Sequence, residues 1–281
     1  VAASAEAVNA YAESVDAPLY MLAVPTSAGI YGDLLPEDAP LVNEHAELSY
    51  LAGLLNPNVV RIEAESWLST ERDQYIYYRT DSRWTGYGAY CVYRTAIRRL
   101  GANPLGYDHF SISHFSDSYY GGLVQESGYR EMKPDVVDLY HSDSEQPVQR
   151  VTAISGDEFR ELDSFYQQDA AAESGDVMQV FASNAESVLR IETGNQNSRE
   201  LLLLTDEFGG SMVPFMLQHY NTITIVNLKR AYEQNLDWRA LVHDEQSDYT
   251  KILILCGADT LRDEAFASAM QPCEDAQAVP E

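Results

Sequence analysis

Short apolar runs recur along the chain, separated by stretches in which apolar residues return every three or four positions. The runs Leu19–Val24, Val59–Glu63, Leu201–Thr205, Thr222–Asn227 and Lys251–Cys256 have strand length and little alternation, which predicts strands buried on both faces. The stretches Val42–Leu55, Thr85–Leu100, Gly209–His219 and Thr260–Ala269 carry the helical period instead. Thr85 is placed to cap its helix, and Gly101 follows Leu100 as a stop signal. This alternation predicts an α/β fold with a mostly parallel central sheet and helices on both faces. Between about residues 110 and 193 the rhythm becomes turn-rich and aromatic, as in Ser118-Tyr-Tyr-Gly-Gly-Leu and Val188-Leu-Arg-Ile-Glu-Thr. Hairpins inserted at one side of the main sheet are expected there. The expectation is a single domain over residues 1–270 with a disordered polar tail over 271–281.

Composition narrows the partners more than the fold. Apolar residues make up 45% and charged residues 22% of 281 residues, as in ordinary globular chains, and no apolar run is long enough to span a bilayer. Asp and Glu outnumber Lys and Arg 44 to 18, a formal net charge of −26. Such a field repels nucleic-acid backbones and anionic lipid surfaces, so neither is an expected partner. Its simplest role is a solvated, self-repelling surface. Cys91, Cys256 and Cys273 are scattered and form no C-x-x-C spacing, which argues against a disulfide framework and a zinc site. No cofactor is expected. The chain starts at Val1 in an alanine-rich helical stretch without signal-peptide features, so any export signal would have been lost with the missing start.

Two segments carry candidate chemistry. The first is Tyr77-Tyr-Arg-Thr-Asp-Ser-Arg-Trp-Thr-Gly-Tyr-Gly-Ala-Tyr, an extended piece, a loop and a helix start. In an extended loop Asp81 and Arg83 point the same way. The second is Leu201-Leu-Leu-Leu-Thr-Asp-Glu-Phe-Gly-Gly-Ser, a buried strand ending in a tight turn. That turn places Glu207 at the carboxyl end of the sheet, where open α/β folds bind ligands.

These segments, in this order and with Tyr119-Tyr-Gly-Gly and Phe181-Ala-Ser-Asn between them, resemble the DHHW family of bacterial proteins. The resemblance runs from about Pro18 to Phe266 and includes Ala23-Val-Pro-Thr-Ser-Ala-Gly-Ile-Tyr and Leu217-Gln-His-Tyr. It implies a three-layer SGNH-hydrolase-like fold, related to the acetyltransferase-like proteins of alginate modification, with a β-rich insertion. It also implies an extracytoplasmic location, secreted or at the cell surface. Where the family has Asp-His-His-Trp, this chain has Asp81, Ser82, Arg83 and Trp84. Where the family has Asp-Ser-aromatic, it has Asp206, Glu207 and Phe208. An arginine cannot serve as general base, and a carboxylate offers no hydroxyl to acylate. The resemblance therefore implies degenerate triad positions at Asp81, Arg83 and Glu207, with little serine-ester activity.

Arg83 and Glu207 at the sites of a hydrogen-bonded histidine and serine would fit a compensating ion pair, or each would project separately into solvent. Trp84, Asn184, Asp206 and Tyr119 are the candidate binding residues, Asn184 equally being a turn former. Tyr77, Tyr78, Tyr87 and Tyr120 join Trp84 and Tyr119 as aromatic surface for sugars, part of it core. Ser211 as a displaced nucleophile, His114 as a cleft residue, and Asp81, Asp206 and Glu207 as cation ligands are weaker readings, and His219 fits local packing. The leading function is a degenerate hydrolase-like protein binding or helping to modify cell-surface carbohydrate. The alternatives are an active carbohydrate esterase or acyltransferase, a glycosidase using Asp81 and Glu207 as paired carboxylates, and a structural scaffold.

Overall fold

The computed structural model describes residues 1–129, 131–143, 147–243 and 248–271. Apart from Gln271, the expected tail lies outside the described residues, as does Cys273; Cys91 and Cys256 are buried free thiols. Five parallel strands form one side of an eight-stranded sheet: β1 (Leu19–Val24), β2 (Val59–Ile62), β8 (Glu200–Thr205), β9 (Thr222–Asn227) and β10 (Lys251–Gly257), with β2 at its edge and half-exposed. Between β2 and β8 in the chain come β3 (Phe110–Tyr119), β4 (Asp135–Ser142), β5 (Val148–Ser155), β6 (Glu158–Leu162) and β7 (Val188–Thr193). The order across the sheet is β2-β1-β10-β8-β9-β7-β5-β6.

The apolar runs became central strands because both faces of the sheet are covered. Along β8, Leu201 and Leu203 enter the core on one face, Leu202 and Leu204 the core on the other, as a side-chain period of two requires. All four are fully buried, each contributing roughly 1.5–3 kcal/mol of apolar transfer. On the first face lies the helix Gly86–Arg99, through Val92, Tyr93 and Ile97. On the second lie the helices Ala2–Glu13, Glu44–Leu54 and Glu264–Ala269. The Thr85 hydroxyl accepts from Gly88 N at 3.2 Å, and Gly101 adopts φ +78°, so both predicted helix signals operate.

Two expectations need correction. The helix expected over Gly209–His219 is a single turn, Val213–Met216. Gly209 and Gly210 serve the tight turn instead: a Cβ on Gly209 would collide with Thr205 and one on Gly210 would crowd Phe181 and Asn184. Pro214 fits only the first turn of a helix. The helix expected over Thr260–Ala269 is broken at Asp263, whose extended backbone and carboxylate cap a new start by accepting from Ala265 N at 2.9 Å. The insertion is β-rich and lies at one side of the sheet, as expected. Strands β7, β5 and β6 continue it antiparallel from β9, and only β3 and β4 pair separately.

His219 is buried at the end of that short helix, its Nε2 2.8 Å from the Tyr93 hydroxyl. Burial, helped by the nearby Arg199 charge, lowers its pKa to about 4. Between pH 6.5 and about 4 the unfolded imidazole therefore binds a proton that the folded one refuses, and stability falls as pH falls through that window. We expect this residue to cost on the order of 2 kcal/mol across the window. Urea midpoints measured at several pH values should show a shallower acid slope in His219→Gln than in wild type; identical slopes would contradict the assignment.

Candidate functional site

The first site segment is a loop closed at its neck by backbone bonds. Tyr78 N donates to Arg83 O at 3.2 Å and Thr85 N to Ile76 O at 2.9 Å. A residue that the sequence reading missed holds the loop from below. The fully buried Asp135, first residue of β4, accepts from Arg79 N (3.0 Å), Thr80 N (2.8 Å) and the Thr80 and Tyr75 hydroxyls (both 2.5 Å). Nothing in its local sequence, Lys133-Pro-Asp-Val, separates it from an ordinary strand-edge aspartate. The Tyr119-Tyr-Gly-Gly segment closes the loop from above: Gly121 N donates to the Thr80 hydroxyl at 2.9 Å and Leu123 N to Thr80 O at 3.1 Å. Gly121 must lack a side chain, because a Cβ there would run into Asp81.

Asp81 is thereby presented to Arg83. The guanidinium forks onto its carboxylate, Nε to Oδ1 and Nη2 to Oδ2, both at 2.7 Å. Tyr119 donates its hydroxyl to Asp81 Oδ2 at 2.6 Å and accepts from Arg83 Nη2 at 2.7 Å. Gly122 N adds a bond to the same carboxylate at 3.2 Å. Burial works to raise the Asp81 pKa, but the bonds and charge of Arg83, with the Tyr119 hydroxyl, more than offset it and hold the carboxyl well below the usual range. Stability from this group is present above its unfolded pKa and is lost as pH falls toward the folded value.

The second segment meets the first through the free edge of the guanidinium. Arg83 Nη1 donates to Glu207 Oε2 at 2.7 Å, joining residues 124 apart in sequence. Glu207 is half-exposed, and Lys229 Nζ lies 3.9 Å from its other oxygen. Asp206, beside it, faces inward. It accepts from Phe208 N and Gly257 N (both 2.8 Å) and from the Thr260 hydroxyl (2.6 Å). Burial pushes its pKa up to about 6 against those three bonds. Asp206 clamps the turn after β8 to the end of β10, so its carboxylate is committed to the protein's own backbone.

An open cleft of about 750 Å³ lies outside the carboxyl ends of β8, β9 and β10. Asp81, Arg83, Tyr119, Asp206 and Glu207 line it together with Lys229. Trp84 and Asn184 do not. Trp84, 1% exposed, donates Nε1 to Phe208 O at 3.0 Å and meets the Phe208 ring edge-on, so it ties the two segments together beneath the cleft. Asn184 donates to Met178 O at 3.1 Å and packs against Gly210. Of the other aromatic candidates, Tyr77 and Tyr78 are core, while Tyr87 is partly and Tyr120 openly exposed. Ser211 is buried and points back to Phe208 O. His114 lies on β3, paired with Asp138. No histidine lines the cleft among the described residues, and no group of three or more metal-ligating side chains occurs among them.

The arrangement presents paired charges and polar groups to a ligand. Proton abstraction needs a neutral base beside a hydroxyl. Here a permanently charged guanidinium touches a carboxylate, and each satisfies the other.

The family model described as DHHW protein matches residues 5–226. Among solved structures, a DHHW family protein from Eubacterium siraeum is similar with a TM-score of 0.75, 20% identity and coverage of 96% of this chain and 87% of that one. Bacillus cereus PatB1, also solved with a sulfonyl adduct, reaches a TM-score of 0.72 at 16% identity, covering 94% and 90%. The O-acetyltransferase domain of Pseudomonas putida AlgJ reaches 0.51 at 13% identity, covering 96% and 87%. At such identities the likeness is one of fold, SGNH-like, with the mostly parallel sheet in common. The curated proteins hold no significant match.

The packing of Gly121 on Asp81 makes a direct prediction. Gly121→Ala should destabilise by roughly 1–3 kcal/mol through overpacking. Gly122→Ala, whose Cβ would meet nothing nearer than Glu126 at 4.0 Å, should be neutral or slightly stabilising at the start of its helix. Urea denaturation of the pair checks this; equal effects would mean that Gly121 is not wedged against the carboxylate.

Proposed function

The chain belongs to the DHHW family, and on that premise we propose that it is a catalytically degenerate SGNH-type protein whose cleft binds carbohydrate at the bacterial surface or exterior without a serine nucleophile. The single observation behind the reading is the 2.7 Å bond from Arg83 Nη1 to Glu207 Oε2, with Asp81 forked onto the same guanidinium. Those three positions are where the family's aspartate, histidine and serine stand. In the relay, the histidine accepts the serine's proton while the aspartate orients it. Arg83 keeps the contact to Asp81 and the reach toward 207, and it loses the ability to accept a proton.

The carbohydrate part of the proposal draws on the resemblance and on the polar, open character of the cleft. The extracytoplasmic location draws on the resemblance alone; no helix among the described residues is long and apolar enough to cross a membrane. That residues 1–270 fold as one unit is likewise proposed, supported by the continuous sheet through both halves of the chain. The paired-carboxylate alternative is disfavoured by Arg83 itself. Its guanidinium bridges Asp81 and Glu207 and holds both as acceptors, whereas glycoside cleavage needs one carboxyl to deliver a proton.

Purified protein should gain no covalent mass from a fluorophosphonate or a sulfonyl fluoride, and should hydrolyse small acyl esters no faster than buffer. Intact-mass spectrometry with peptide mapping reads the first outcome. Stoichiometric modification of the buried Ser211, or of Ser82 or another serine lining the cleft, would overturn the proposal.

A further inference from the structure

On the far side of Tyr78 from the cleft lies a second cavity of about 230 Å³. It is smaller than the roughly 300–1,000 Å³ of most small-molecule pockets, a size suited to one sugar ring. Five tyrosines form its walls: Tyr75, Tyr78, Tyr87, Tyr107 and Tyr140. Gly86 makes room for one of them, since a Cβ there would collide with the Tyr140 ring. Tyr87 and Tyr107 stand at 90° to each other with centroids 5.6 Å apart, and the Tyr107 and Tyr140 hydroxyls are 3.2 Å apart. Tyr75 and Tyr107 remain 38% and 37% exposed although each is held by neighbours, Tyr75 by Asp135 and Arg79. Fixed aromatic rings left open to solvent present apolar area that costs little conformational entropy to bury under a ligand.

Polar groups decide what kind of ligand. Tyr78 is 3% exposed and faces this cavity, yet its hydroxyl has no hydrogen-bond partner among the described residues. That hydroxyl keeps access to solvent through the cavity, and a ligand hydroxyl would take the solvent's place. Gln74 and Asp138 add an amide and a carboxylate at the wall. A quaternary ammonium would suit the ring faces, but its methyl groups would leave the Tyr78 hydroxyl and the Gln74 amide unmatched. A polyol ring satisfies both, with its C–H face on the tyrosines and its hydroxyls on the polar wall.

We propose that this tyrosine-walled cavity is a second carbohydrate site, taking one uncharged hexose or N-acetylhexosamine unit. It rests on the carbohydrate part of the proposed function and not on the loss of the nucleophile. Tyr78 and Tyr119 pack edge-on at 5.4 Å between cavity and cleft, so the two are separate sites divided by a shared wall.

Saturation-transfer NMR on the whole chain tests this with cellobiose, maltose and N,N′-diacetylchitobiose as probes and choline as the competing chemistry. At least one disaccharide should bind wild type. Tyr107→Ala, at an exposed position, should weaken it about tenfold, and Tyr78→Phe, which removes only the hydroxyl, by a smaller factor. Glu207→Ala should leave the Tyr107-dependent part of that binding unchanged. Disaccharide binding that survives Tyr107→Ala and falls with Glu207→Ala overturns the second site and leaves the cleft reading intact. Choline binding lost in Tyr107→Ala, without any disaccharide binding, overturns the assigned ligand class. Absence of any disaccharide signal overturns this inference and the carbohydrate reading together, while the nucleophile test stands apart.

Discussion

A carboxylate as deeply buried as Asp81 stays ionised only if charge and hydrogen bonds replace the water it has lost, and nearly everything around it serves that need. Arg83 supplies the charge in a forked geometry, and Tyr119 and Gly122 N occupy the remaining acceptor sites. Asp135 fixes the loop that presents it, and Gly121 allows the chain from β3 to close over it. Arg83 is itself nearly buried, so it needs more than one acceptor. Glu207 provides the second from across the cleft, coupling the turn after β8 to the loop before the helix Gly86–Arg99.

On the proposed reading, the same constraint explains how a hydrolase-like fold would persist without a serine nucleophile. A histidine and a serine at 83 and 207 would be neutral partners sharing one proton. An arginine and a glutamate form a charge pair there instead, so under that proposal the architecture keeps its contact without the relay. Trp84 and Asp206, which sequence reading placed among ligand-binding residues, support this framework from below. One joins the two segments through Phe208 O, and the other clamps the turn to Gly257 and Thr260.

What could be read from the chain was what local pattern encodes. The five parallel strands were legible because runs such as Leu201–Leu204 leave no polar face, edge strand β2 being the exception, and the cap at Thr85 and the stop at Gly101 are local signals too. The helix after Glu207 was overestimated because an apolar period says nothing about Gly209 lying against Thr205 or Pro214 ending the register. Asp135, Lys229 and the five-tyrosine cavity escaped because each depends on long-range placement. Tyr75 and Tyr140 are 65 positions apart in sequence, and β4, tied to Tyr75 through Asp135, carries the second to the same cavity. The partnership of Arg83 with Glu207 was suggested by the family's motif order rather than by any property of the residues themselves.

The account stands on that partnership, and a double-mutant cycle at Arg83 and Glu207 measures it directly. Arg83→Ala should destabilise by about 3 kcal/mol because it strands Asp81, and Glu207→Ala by less than about 1 kcal/mol because its carboxylate is half-exposed. The double variant should be less destabilised than the sum by about 1 kcal/mol, the energy of a contact that the first change has already removed. Additivity within about 0.3 kcal/mol would show that the two residues do not interact in solution, and the compensating ion pair at the centre of this account would be contradicted.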